Sequence, residues 1–103
     1  MNLLFVCNFG KYRSRTAEDL LSGKFNTKSA GIISDTNPLT KSKLDFADIV
    51  FVMEDHQEEF IKKNFPKEYS NKKVVCLGIE NLYGYNDETL KKLILDKVRL
   101  HHK

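Results

Sequence analysis

The stretch LLFVCNFGKYRSRTAEDL, residues 3–20, decides how this chain is read. Its apolar start (residues 2–6) shows no clean alternation, which marks a strand buried on both faces. That run ends on Cys7. Six positions on, Arg13 and Ser14 lead into a helical pattern in which Leu20 and Leu21 supply the inner face, Ser14 is a candidate cap and Gly23 ends the element. A strand, a short turn and a helix start in close succession aim backbone N–H groups at one spot, a nest for an oxyanion.

Outward from there the pattern repeats. Residues 25–30 read as a second strand closed by Ala30-Gly31, and SDTNP (34–38) as a turn. TKSKLDFA (40–47) is a short helix, and DIVFVM (48–53) is the clearest strand in the chain. EDHQEEFIKKNF (54–65) is a helix with acids first and lysines last, matching the helix dipole, and Pro66 is read as its stop. KKVVCLGI (72–79) is a fourth strand, ENLYGYND (80–87) a loop and ETLKKLILDKVRL (88–100) a final amphipathic helix. Strands alternating with helices predict right-handed βαβ units. The expected class is α/β: a doubly wound three-layer sandwich with a four-stranded parallel sheet, order 2-1-3-4, in one domain over 1–103. Ligands bind such sheets beyond the strands' carboxyl ends, at the switch point, and the Cys7 loop falls there.

Composition sets limits. At 103 residues with 41% hydrophobic and 30% charged residues, the chain has the make-up of a soluble globular domain. No apolar run approaches a membrane span, and the opening Met-Asn-Leu-Leu-Phe-Val lacks the basic region of a signal peptide. Two cysteines make no disulfide framework, so a cytoplasmic location with reduced thiols is expected. The net charge of +3 is small, and the excess of Lys and Arg lies in the first 43 residues, around the loop. That suits an anionic ligand. A nucleic-acid groove needs a denser basic stripe with stacking aromatics, so no nucleic acid and no membrane are expected as partners.

The loop's residue types suit one chemistry. N–H dipoles, a helix start and Arg13 all favour a thiolate at Cys7, the strongest nucleophile available near neutral pH. Arg13 presents a planar fork that meets two phosphoryl oxygens at once, which Lys cannot do. The chain holds three arginines among its 17 basic residues, so an Arg here is informative. Ser14 can hydrogen-bond the thiolate. Asn8, Phe9, Gly10, Lys11, Tyr12 and Arg13 are the expected phosphate-binding residues. The competing reading makes Cys7 a small buried hydrophobe and Arg13 a solvated helix residue.

CNFGKYRS resembles the Cys-x5-Arg-Ser signature of the low-molecular-weight protein tyrosine phosphatases, and RTAE after it is similar to the start of their first helix. SAG (29–31) is similar to the close of their second strand and DIVFVMED to the third strand and its loop. The resemblance spans most of the chain and is nearest to a compact bacterial branch of predicted phosphatases. It implies a cysteinyl-phosphate intermediate, no metal, no cofactor and a phosphotyrosine protein or small aryl phosphate as substrate. It also implies a general acid near the C-terminus, for which Asp87 is the candidate. Asp87 serves equally as a helix N-cap, and it lacks the Pro that commonly follows the family's acid. The loop differs from larger members in the placement of its Asn and Gly, and Tyr12 replaces their second loop cysteine. Cys76 reads as core. Tyr12, Tyr83 and Tyr85, with Phe9, are candidate walls for an aryl ring. A monomer or weak dimer is expected.

Two other functions stay open on the residues. A phosphocysteine carrier of a sugar phosphotransferase system also places a Cys after its first strand, but does not need Arg13. An inactive phosphate- or phosphopeptide-binding module would bind oxyanions without turnover.

Overall fold

The computed structural model describes residues 1–101. In chain order the elements are β1 (Asn2–Cys7), α1 (Arg13–Leu21), β2 (Asn26–Gly31), α2 (Lys41–Phe46), β3 (Ile49–Val52), α3 (Asp55–Asn64), α4 (Pro66–Asn71), β4 (Lys73–Cys76) and α5 (Glu88–His101). The four strands form one parallel sheet in the order β2-β1-β3-β4, as the alternation of elements predicts.

Sequence character follows position in the sheet. The central strands β1 and β3 are buried almost throughout, which explains their unbroken apolar runs. β2 lies at one edge, so NTKSAG is polar through Ser29 and buried only in its last three residues. β4 lies at the other edge and is only partly covered. Alternate residues of β1 enter different layers. Leu3, Phe5 and Cys7 pack with Ala17 and Leu21 of α1 and with Leu90, Ile94 and Val98 of α5. Leu4 and Val6 pack on the opposite face with Leu44 of α2 and Ile61 of α3. Phe5 and Phe51 are register partners whose rings stack at 5.4 Å between centroids.

Two expectations need correction, and a third, that Pro66 stops α3, holds but is incomplete. Pro66 does not simply end a helix: it opens α4, because its fixed φ and missing N–H suit a first helical position. Ser14 is not the cap of α1, which begins at Arg13 after Tyr12 with no side-chain cap; Ser14 lies inside the first turn and is buried. β4 stops at Cys76 where a strand to 79 was expected. Beyond it Leu77 and Ile79 still donate to Val52 O and Met53 O, at 2.8 Å each, across the positive φ of Gly78.

The stacked phenylalanines anchor the α1–α5 layer. Truncation by Phe51→Ala is expected to destabilise the fold by about 3–5 kcal/mol, read from the urea midpoint.

Candidate active site

The strand order reverses direction between β1 and β3, so the crossovers diverge at the carboxyl end of β1. Cys7 ends that strand and is 2% exposed. The chain from Asn8 to Tyr12 then curls back into α1.

The curl depends on two glycines. Gly10 has φ +68°, left-handed backbone that a side chain rarely adopts. Gly31, at the end of β2, lies directly under the loop. A Cβ there would come within 2.5 Å of the Phe9 carbonyl carbon, 2.6 Å of Gly10 N and 2.7 Å of Asn8 O. The conformation brings Gly10 N–H to Cys7 Sγ at 3.2 Å. On the other side Cys7 Sγ and Ser14 Oγ are hydrogen-bonded at 3.1 Å. The thiol is the donor of this bond; a thiolate would instead accept from the Ser14 hydroxyl. The buried sulfur thus has one donor, Gly10 N–H, and beside it a hydroxyl that accepts from the thiol.

Arg13 is 1% exposed, the largest fully buried side chain among the described residues. Its Nη1 donates to Glu54 Oε1 at 2.5 Å and to Ile79 O at 2.7 Å. Glu54 also caps α3: its carboxylate accepts from the Gln57 backbone, while Gln57 Oε1 accepts Met53 N–H at 2.7 Å and Glu54 N–H at 2.9 Å. The other end of the fully buried Gln57 reaches the loop, Nε2 donating to Asn8 Oδ1 at 3.0 Å. His56 Nε2 lies 2.6 Å from the same oxygen. From the β2 side Asn37 Nδ2 donates to Gly10 O and to Ser29 Oγ, both at 3.0 Å. α3 therefore holds the loop's first side chain, and the segment after β2 holds its backbone.

Cys7, Asn8, Phe9, Gly10, Lys11, Tyr12, Arg13 and Ser14 share one continuous loop and helix start. Phe9, Lys11 and Tyr12 are exposed, and Phe9 and Lys11 line a cavity of about 350 Å³ with Ile33, Ser34, Asp35 and Thr36. Asp87 precedes α5, and its Oδ1 accepts Leu90 N–H at 3.0 Å. Asn86, at φ +63°, ties that turn to α1 through a 2.8 Å bond from its N–H to Thr16 Oγ1. Tyr85 is exposed and its hydroxyl donates to Asp19 Oδ2. Tyr83 is half-buried against the α1–α5 core. Cys76 sits on the opposite layer. Burial pushes its thiol up, and the neighbouring carboxylate of Asp55 adds to this, so it is a poor nucleophile.

Sequence reading missed Glu54, Gln57, His56 and Asn37 as parts of this site. Glu54 was explicable as a helix-start acid, which it also is. The available signal was its place just beyond the clearest strand, the one paired with β1.

The glycine contact makes a prediction. Gly31→Ala must push the loop backbone, with an expected loss of about 1–3 kcal/mol. Gly23→Ala, where a Cβ meets nothing within 4 Å, is expected to stay within about 1 kcal/mol of wild type. Urea midpoints of the two variants check the contrast.

No family model and no curated protein matches the chain. Among solved structures it is similar to a Cys-to-Ser variant of the YwlE arginine phosphatase with a phosphorylated active-site serine. That match has a TM-score of 0.78 and 19% identity, over 100% of this chain and 97% of the other. It is similar to the tyrosine phosphatase Wzb from Escherichia coli K30 in complex with phosphate, with a TM-score of 0.74 and 19% identity, over 97% and 94%. It is also similar to a low molecular weight protein tyrosine phosphatase from Bacillus subtilis, with a TM-score of 0.72 and 19% identity, over 100% of both chains. At such identities it is the architecture that is shared: the chain has the fold of the low-molecular-weight protein tyrosine phosphatases.

Proposed function

We propose that the chain is a phosphomonoester hydrolase, acting on phosphotyrosine through a cysteinyl-phosphate intermediate. The observation that carries this reading is the buried Cys7 sulfur, which accepts Gly10 N–H and donates to a Ser14 hydroxyl free to turn, at the base of a loop that ends on Arg13. A core cysteine needs neither contact. A thiolate nucleophile gains from both, the amide as it stands and the hydroxyl once it turns to donate, because hydrogen bonds to sulfur favour its charged form.

The reaction runs in two displacements. Cys7 Sγ attacks phosphorus in line, forming S–P as the ester P–O bond breaks. Backbone N–H groups of the loop and the Nε–Nη2 edge of Arg13 bind the three equatorial oxygens, while Nη1 stays on Glu54 and Ile79. Asp87 protonates the departing phenolate oxygen. Water then attacks the phosphorus and gives its proton to Asp87; S–P breaks, phosphate leaves and the thiolate returns. Ser14 donates to sulfur as it departs. The cap bond of Asp87 uses Oδ1, which leaves Oδ2 for proton transfer.

The similar folds include an arginine phosphatase and tyrosine phosphatases. Two features here favour the aryl ester. Phe9 and Tyr12 are large exposed rings on the loop itself, and Lys11 between them repels the cationic guanidinium of phosphoarginine. Lack of any need for Arg13 in a phosphocysteine carrier weighs against that alternative, and a carrier would not turn over alone.

Steady hydrolysis of p-nitrophenyl phosphate by wild type, abolished in Cys7→Ser, tests the reading. Binding of phosphate without turnover by the wild type would assign a non-catalytic module instead. Arg13→Lys keeps the charge and loses the fork, so kcat/KM is expected to fall by about 10²–10³, the scale of losing one oxyanion donor. Asp87→Asn is expected to slow phosphotyrosine far more than aryl esters with very acidic leaving groups, measured as the ratio of their kcat values. Equal slowing of both would leave Asp87 as a helix cap and move the acid to Glu80 or Glu88.

A further inference from the structure

A polar cavity of about 330 Å³ lies on the β2 side, bounded by Arg15, Glu18, Lys28, Ser29, Asn37 and Lys43. Three cations face it from three elements, α1, β2 and α2. Their compensation is uneven. Arg15 Nε lies 3.5 Å from Asp19 Oδ1 and 4.0 Å from Glu18 Oε1, and that Glu18 oxygen already accepts the Ser29 hydroxyl at 2.5 Å. Lys28 and Lys43 form no ion pair with a described residue. Lys28 Nζ rests 4.5 Å from the centroid of the Phe46 ring, a neutral partner. Lys43 Nζ donates to Asn37 Oδ1 at 2.6 Å and to Pro38 O at 2.9 Å, again neutral acceptors. An ammonium has three donors, so one is left over. Burial pushes the Lys43 ammonium down from its ordinary value and Lys28 adds to this, against an opposing pull from Glu18. Three cations thus face one lining carboxylate, Glu18, whose Oε1 is already shared between Arg15 and the Ser29 hydroxyl.

We propose that this cavity is a second anion site, distinct from the Cys7 loop, which takes one phosphate dianion, free or esterified. Lys28, the spare donor of Lys43 and the guanidinium of Arg15 bind it. Asn37 joins the two sites: its Oδ1 accepts from Lys43 while its Nδ2 holds Gly10 O. An anion that draws the Lys43 ammonium alters the grip of Asn37 on the loop. By reciprocity, an oxyanion in the loop alters the affinity of the cavity by the same factor.

Residue-resolved amide NMR of the full chain tests this without an activity readout. On titration with inorganic phosphate, the amides of Lys28, Ser29, Asn37 and Lys43 are expected to move with a midpoint of their own, separate from that of Asn8 to Arg13. Lys28→Glu, a reversal on an exposed edge position, is expected to weaken the first midpoint about tenfold or more, the scale of a lost charge-assisted contact. Lys28→Gln, which only neutralises, is expected to weaken it less, and dispersed spectra show that either variant is folded. A parallel titration with phosphoserine identifies the carrier, the tighter of the two probes naming a free or an esterified ligand. Unmoved amides at 28, 29, 37 and 43, or a midpoint unchanged in both variants, would overturn the proposal. Failure of the phosphatase reading shows separately, as loop amides that ignore phosphate.

Discussion

A guanidinium sealed from water must be matched by acceptors, because an unpaired buried charge costs several kcal/mol. Arg13 meets that demand with the Glu54 carboxylate, 41 residues away, and the Ile79 carbonyl, 66 residues away. One side chain thereby fixes the start of α1 against the end of β3 and against the segment that follows β4. The loop from Cys7 to Arg13 is anchored at both ends, by strand pairing at Cys7 and at Arg13 by its pairing with the half-buried Glu54. Its middle rests on Gly31, and Asn37 and Gln57 clamp it from opposite sides.

That constraint holds a strand–loop–helix in one geometry. Preorganised donors stabilise charge without reorganising during a reaction, and preorganisation needs a rigid surround. The loop's own sequence, NFGKY, is not rigid; the rigidity comes from elements far along the chain. Glu54 illustrates the economy of the arrangement. A single carboxylate caps α3 and holds Arg13, so the helix start and the arginine share one electrostatic solution.

The sheet was legible because its signals are local. Unbroken apolar runs at β1 and β3 mark strands covered on both faces, and helices between them leave little choice but parallel crossovers. The Cys7–Arg13–Ser14 grouping was legible because three chemically specific residue types fall within eight positions. What escaped was non-local or doubly explained. Pro66 follows a helix, so it reads as a stop, while its value as a first helical residue shows only once α4 is seen. Ser14 reads as a cap from its place before an amphipathic run, yet its hydroxyl is turned inward to Cys7. Asn37 sits in a stretch whose Ser, Asp, Asn and Pro explain themselves as a turn. Its amide reaches Gly10 only because β2 lies beside β1.

The central claim is that Cys7 carries the phosphoryl group between two displacements. Rapid acid quench of the wild-type chain during turnover of p-nitrophenyl phosphate, followed by peptide mass spectrometry, tests it directly. One phosphoryl group on the peptide containing Cys7, formed as fast as the first burst of p-nitrophenolate, is the predicted result. Turnover with no phosphoryl group on Cys7 at any quench time, or with the group on another residue, would contradict the account.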